Sequence, residues 1–265
     1  AYFDEDSYLA SVNVAHNLAS LYFRAFDEPF IEEIRSYAVN YFRKILFNLG
    51  WEPKKSDKHT DALLRTFTIA VLGKMNDDSV TDEAIKKYKK FLKSPRSLSP
   101  DLIETICSIA AWNGNSKTFA ELKKLYTNAK TMEEKLRFLG AMCGFQDKKL
   151  LVKTLDFSQT SEVRSQNMQL PIMKIAGNPY GDKVLWPWLK KNWKKINKKV
   201  GHGNPLFNRI VASIAGVADD SMEKEIKLFF KNNPTPGTER TQSQTLERIR
   251  INSKFLRKMR KEFKN

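Results

Sequence analysis

The sequence predicts an all-α fold, and three observations carry that prediction. Apolar residues recur at three- and four-residue intervals along the chain, and no sustained alternation of period two appears. Helix start and stop signals are frequent and follow one another in register. The joints between them are a few residues long, as helix–helix connections usually are. Together they imply about thirteen helices of roughly 10–20 residues each.

In chain order, Gly50 and Gly73 mark the ends of two early helices, and Pro95 closes another. Ser99-Pro100 sets a capping hydroxyl before a proline at the first helical position, and Gly114 follows as the next stop. Thr131-Met132-Glu133-Glu134 fits the capping box, in which Thr and Glu side chains satisfy each other's orphan backbone N–H groups. Gly177 ends a further helix. Trp186, Leu189, Trp193, Ile196 and Val200 then fall on one stripe, while Lys190, Lys191, Lys194, Lys195, Lys198 and Lys199 occupy the other faces. The stripe is expected to pack and the lysines to stay wet. Pro187 is placed near the start of this helix, where its missing N–H costs little. Asn204-Pro205 opens the next element with an amide cap. Pro234 lies in the Asn232 to Thr238 loop before the last helix.

Many amphipathic helices with short joints, and none apolar all round, point to stacked antiparallel helix pairs. The expected architecture is an α-solenoid superhelix of the armadillo or HEAT kind, although no fixed-period repeat is present. No linker rich in Gly, Ser and Pro interrupts the chain, so residues 1–265 are expected to form one domain.

Composition narrows the function classes. The 265 residues are 41% hydrophobic, which excludes intrinsic disorder, and their formal net charge is +16. No apolar run is long enough to span a membrane, and no secretory signal opens the chain. Ala1 begins it without an initiator methionine, as in a fragment or processed product. Cys107 and Cys143 suit reduced thiols in a cytoplasmic protein better than a disulfide framework.

Chemistry-bearing motifs are scarce. His16, His59 and His202 show no zinc-ligand spacing: His16 reads as a packed or partly exposed residue, the other two as loop or cap residues. No nucleophile elbow occurs, and both cysteines sit within apolar helix patterns. Gly201-His202-Gly203 is too short for a phosphate-binding loop. Glu32-Glu33 and Glu133-Glu134 read as surface or capping carboxylates. Lysines over 183–199 and Arg248, Arg250, Lys254, Arg257, Lys258, Arg260, Lys261 and Lys264 could face phosphates, with Trp186, Trp188 and Trp193 stacking on bases. The stronger reading spends Trp186 and Trp193 in the core and spreads the lysines over several faces.

Several stretches together resemble one family. Leu49-Gly50-Trp51-Glu52-Pro53 and His59-Thr60-Asp61-Ala62-Leu63-Leu64-Arg65 are similar to a Gly-Trp-acid-Pro loop followed by a Leu-Arg helix. Glu133-Glu134-Lys135 through Ala141-Met142 resembles its Glu-Glu-Lys helix. Glu162-Val163-Arg164-Ser165-Gln166-Asn167 resembles a Val-Arg segment, with Asn167 in place of an acid. Asn178-Pro179-Tyr180-Gly181, the Trp186 to Trp193 helix, Phe229-Phe230, Glu239-Arg240 and Gln244 to Asn252 follow in order. This ordered set, from about Leu49 to Lys258, is similar to the C-terminal helical domain of the M1 family of zinc aminopeptidases. Within that family it most resembles the cytosolic branch of puromycin-sensitive and archaeal tricorn-interacting enzymes.

The resemblance implies a non-catalytic domain that covers an active-site cleft and forms a peptide chamber. It would contribute to substrate length selection and contact the C-terminal side of short peptides. Zinc, its general base and the amine anchor would belong to a preceding thermolysin-like domain, so this chain is expected to hold no cofactor and no catalytic residue. Its partners would be that domain and short peptides, with no membrane and no nucleic acid. In relatives the stretch matching Gly203 to Val217 faces the cleft, which makes Asn204 and Asn208 the substrate-side candidates. Asn204 has a competing role as a helix cap. Ala215 and Gly216 offer no side-chain donor for a peptide carboxylate. The alternative reading is a freestanding basic α-solenoid scaffold that binds protein or nucleic acid.

Overall fold

The structure is a computed structural model that describes residues 8–200 and 204–263, with side chains described from residue 11. Ala1, Gly201, His202, Gly203 and Lys264, each of which figured in the sequence reading, lie outside the described residues. Among the described residues there are thirteen α-helices, six short 3-10 turns and no strand. The chain divides into two compact units, Ala1–Leu122 and Lys123–Asn265.

The first unit holds α1 (Tyr8–Arg24), α2 (Ile31–Leu49), α3 (His59–Lys74), α4 (Asp78–Lys93) and α5 (Pro100–Trp112). Helix α3 is its centre, packed against α2, α4 and α5. Phe42, Ile69, Leu72, Met75 and Ile106 are fully buried in this core. The α3–α4 turn is fastened from both sides. Asp77 accepts from the Val80 N–H at 3.0 Å as the α4 cap, and Arg43 Nε donates to its other oxygen at 2.6 Å. Burial alone would raise the Asp77 carboxyl, but hydrogen bonds from Ser79, Val80 and Arg43 outweigh it and hold the group below its ordinary range. Trp112 Nε1 donates to Asn76 Oδ1 at 3.0 Å, tying the end of α5 to the same turn.

Two local expectations are refined here. Helix α3 ends one residue past Gly73, at Lys74, but the glycine also serves packing, since an added Cβ would meet Ile109 at 2.5 Å. Its small size lets α3 and α5 approach. Helix α5 does begin at Pro100, but the Ser99 hydroxyl makes no cap, and the Leu102 N–H bonds the Ser99 carbonyl at 3.0 Å. Gly50 ends α2 as expected, with φ 67°.

Helix α6 (Ser116–Asn128) crosses the division between the units. The second unit continues with α7 (Met132–Ala141), α8 (Lys148–Ser158), α9 (Gln169–Ala176), α10 (Asp182–Val200), α11 (Leu206–Ser213), α12 (Glu223–Asn232) and α13 (Glu239–Glu262). The Thr131–Glu134 capping box forms with both reciprocal bonds, at 3.1 and 3.2 Å. Helix α9 packs on α7, α8 and α11, and α11 in turn on α13. The predicted stripe of α10 is buried throughout. Trp193 sits in an aromatic cluster with Phe207, Phe229 and Phe230, at centroid separations of 5.8, 5.3 and 5.6 Å. Edge-to-face rings of this kind add to simple area burial.

Pro187 lies deeper than expected. Helix α10 starts at Asp182, so Pro187 is its sixth residue and removes the donor that would serve the Lys183 carbonyl. Both residues are exposed, which leaves water to satisfy that oxygen.

Candidate functional site

The stretch singled out for substrate contact runs from the end of α10 through α11 to Gly216. Asn204 is half-buried, and its side chain is spent locally. Its Oδ1 accepts from the Leu206 N–H at 3.0 Å, and its Nδ2 donates to the Val200 carbonyl at 3.1 Å. It therefore fastens the end of α10 to the start of α11, which is the capping role its sequence context offered. Asn208 is different. Its Oδ1 accepts from the Thr241 hydroxyl at 2.5 Å, and its Nδ2 has no partner among the described residues. Of the two candidates, only Asn208 has an Nδ2 with no partner among the described residues.

The end of this stretch is shaped by backbone proximity. An added Cβ at Gly216 would lie 2.4 Å from the Ala176 carbonyl oxygen, so the glycine is there to let the turn after α11 press on the end of α9. Asn252 Nδ2 on α13 donates to the Ala215 carbonyl at 3.2 Å. Ala215 and Gly216 are thus packing positions, which accounts for their lack of side-chain donors.

Two of the motifs that carry the family resemblance are joints. Arg65 is buried, donating to the Gly50 and Leu49 carbonyls at 3.0 and 3.1 Å and to Asp57 at 2.5 Å. The Gly-Trp-Glu-Pro loop and the Leu-Arg helix are one unit held by one guanidinium. Asn178 is buried with all its polar atoms engaged: Nδ2 donates to the Cys143 and Phe145 carbonyls, each at 2.9 Å, while Oδ1 accepts from the Tyr180 N–H at 3.0 Å. Lys199, expected to be wet, is half-buried, and its Nζ donates to the carbonyls of Ser158, Thr160 and Val163. Desolvation pushes this amine below its ordinary range. A lysine that closes the end of α8 looks, in sequence, like any other lysine of a basic helix.

No group of three His, Cys, Asp or Glu among the described residues could hold a metal ion. His16 is exposed, with its ring 4.2 Å from that of Phe67, and His59 is the exposed first residue of α3. The donor set of the described residues does not fit zinc. Cys107 and Cys143 are buried free thiols, and burial pushes Cys107 far above the ordinary thiol range. Trp186, Trp188 and Trp193 are all buried, with Trp188 Nε1 bonded to Asp156 and Trp186 Nε1 to Glu225, so none offers a stacking face. Among the described residues no helix is long and apolar enough to cross a membrane.

Basic residues of α13 are partly paired. Arg250 grips Glu223 with two bonds of 2.7 and 2.5 Å, and Lys227 reaches the same carboxylate at 2.5 Å. Those bonds, the Arg250 pair first, hold Glu223 down at about 2. Arg257 pairs with Asp220 at 2.6 Å.

Comparison with known proteins places this geometry. The family model described as the ERAP1-like C-terminal domain matches residues 1–251. The chain is 28% identical to Aminopeptidase M1-D of Oryza sativa subsp. japonica, over 98% of this chain and 30% of that protein. It is 26% identical to Aminopeptidase M1 of Arabidopsis thaliana, over 89% of this chain and 27% of that protein. It is 25% identical to "Aminopeptidase 2, mitochondrial" of Saccharomyces cerevisiae, over 97% of this chain and 27% of that protein. The chain spans less than a third of the length of each of these relatives.

Proposed function

Because this chain belongs to the ERAP1-like C-terminal domain family, we propose that it serves as the non-catalytic C-terminal domain of a zinc aminopeptidase. The observation that carries this reading is the extent of the family match, which runs through both compact units. In this reading the two units work as one domain against a catalytic domain elsewhere in the parent enzyme. They wall a chamber for short peptides and favour productive alignment by excluding water and limiting substrate length. A superhelical arrangement of the helices belongs to the same proposal. The parent enzyme supplies zinc as Lewis acid; the residues of this chain only shape the space around the peptide. Asn208, whose Nδ2 has no partner among the described residues, is the substrate-side donor, while Asn204 holds the α10–α11 joint beside it. Two buried reduced thiols support a cytoplasmic setting.

The test has two parts. The native reading frame upstream of Ala1 should encode a His-Glu-x-x-His helix with a Glu ligand further on, and a start codon close to Ala1 would overturn the reading. The chain by itself, supplied with zinc, should leave aminoacyl fluorogenic substrates intact. Hydrolysis that persists through purification would equally refute a non-catalytic role.

A further inference from the structure

We propose that the outward face of α13, from Ile251 to Lys261, is a docking site for an acidic amphipathic helix of a partner protein. Helix α13 faces its own unit through Thr245, Ile249 and Ser253, which are buried. Ile251 and Phe255 stand one turn apart and point away from that face, 59% and 41% exposed. Ile251 and Phe255 adjoin on the face turned away from the core, and an apolar patch rimmed by charged side chains is the kind of surface that marks a contact. Beside them Lys254, Lys258 and Lys261 follow at helical spacing, and with Arg257 the six side chains make one open face of this helix.

The charge of this face says what suits it. Residues 248–261 carry seven Lys or Arg and no acid. Arg250 and Arg257 are already committed to Glu223 and Asp220. Lys254 and Lys261 have no ion pair among the described residues, and Lys258 reaches only Glu262, at 3.5 Å. An occupant must therefore bring carboxylates at helical spacing to the lysines and apolar side chains to Ile251 and Phe255. An amphipathic helix of Leu and Glu supplies both. A purely anionic polymer would leave the apolar pair wet, and a purely apolar one would leave the lysines unmatched.

The probe is a fluorescein-labelled amphipathic Leu/Glu helix titrated with the full chain and read by anisotropy. Binding is expected, weakening about tenfold between roughly 50 and 300 mM salt. The same helix with Lys in place of Glu should not bind. Ile251→Ser with Phe255→Ser should weaken binding about tenfold or more, and so should Lys254→Glu with Lys261→Glu. All four positions are exposed, and circular dichroism of each variant checks that the fold is kept. Absence of binding, or binding indifferent to both double variants, would overturn the proposal. So would polyglutamate binding as tightly as the Leu/Glu helix, since the apolar pair would then have no role. Partition of the chain onto phosphatidylserine vesicles in place of the peptide, abolished by the same variants, would make the face a lipid contact and overturn it as well.

Discussion

Arg65 meets Asp57 at 2.5 Å with a guanidinium side chain that is only 1% exposed. The same group holds the Gly50 and Leu49 carbonyls, so one side chain satisfies three acceptors in the loop between α2 and α3. Arg65→Ala removes all three donors and leaves half-buried acceptors behind, at a cost of about 3 kcal/mol. Arg65→Lys keeps the charge but not the planar fork, and should still lose about 1–3 kcal/mol. Urea unfolding measures both. A Lys variant as stable as the parent would mean that charge alone orders the loop.

Glu223 supplies a pH dependence. Its folded-state value is depressed to about 2 from an ordinary 4.5, because Arg250 and Lys227 favour the carboxylate. Its contribution is therefore fully present above 4.5 and is lost as pH falls toward 2. Melting temperatures of the parent and Glu223→Gln should differ at neutral pH, converge below 4.5 and coincide near 2. Added salt should narrow the neutral-pH gap, since the cluster is exposed. A gap that is constant across the acid range would show that the cluster adds nothing through its charge.

Two glycines should respond with opposite signs. Gly216→Ala places a Cβ 2.4 Å from the Ala176 carbonyl oxygen, and the backbone shift it forces should cost about 1–3 kcal/mol. At Gly177 the nearest atom would be 3.6 Å away and φ is −94°, which alanine adopts freely. Gly177→Ala should stabilise by about 0.4–1 kcal/mol by narrowing the unfolded ensemble. Chemical denaturation of the pair decides it, and equal signs would contradict the packing described.

Asn178 tests the other joint. Its Nδ2 serves two buried carbonyls, so Asn178→Ala should cost about 1–3 kcal/mol. Asn178→Asp should be worse at neutral pH, where a carboxylate would face two carbonyl oxygens. Acid restores a donor to that side chain, so the deficit of the Asp variant relative to the parent should shrink as pH falls. Melting curves at neutral and mildly acidic pH would show it, and a pH-independent deficit would mean that the two carbonyls find water.

The helices were legible because burial writes a period into the chain. The stripe from Trp186 to Val200 could be read from spacing alone, and so could the Thr131 capping box, whose chemistry is local. What escaped was decided by partners far along the sequence. Lys199 closes α8 because the 158–163 turn comes to it, and no spacing within α10 records that turn. Gly73 stands within a residue of the end of α3, but its packing role is set by Ile109 on another helix. Ser99 has the residue type of a cap, yet it is its own backbone carbonyl, and not its hydroxyl, that meets the Leu102 N–H. At the candidate site, the capping duty of Asn204 followed from its neighbour Pro205, whereas the tie between Asn208 and Thr241 spans 33 residues and left no local trace. The recognisable motifs could be matched by type, but only coordinates show that Arg65 and Asn178 are fasteners of loops.

The two cysteines divide between the units, Cys107 in the first and Cys143 in the second, and both are shut away from solvent. A thiol-alkylating reagent added to the native chain can reach neither until the surrounding helices open. The two labelling rates, separated by peptide mass, report the opening around each thiol in a single sample and with no engineered reporter. Equal rates would mean that the two units open together, and unequal rates that they open apart.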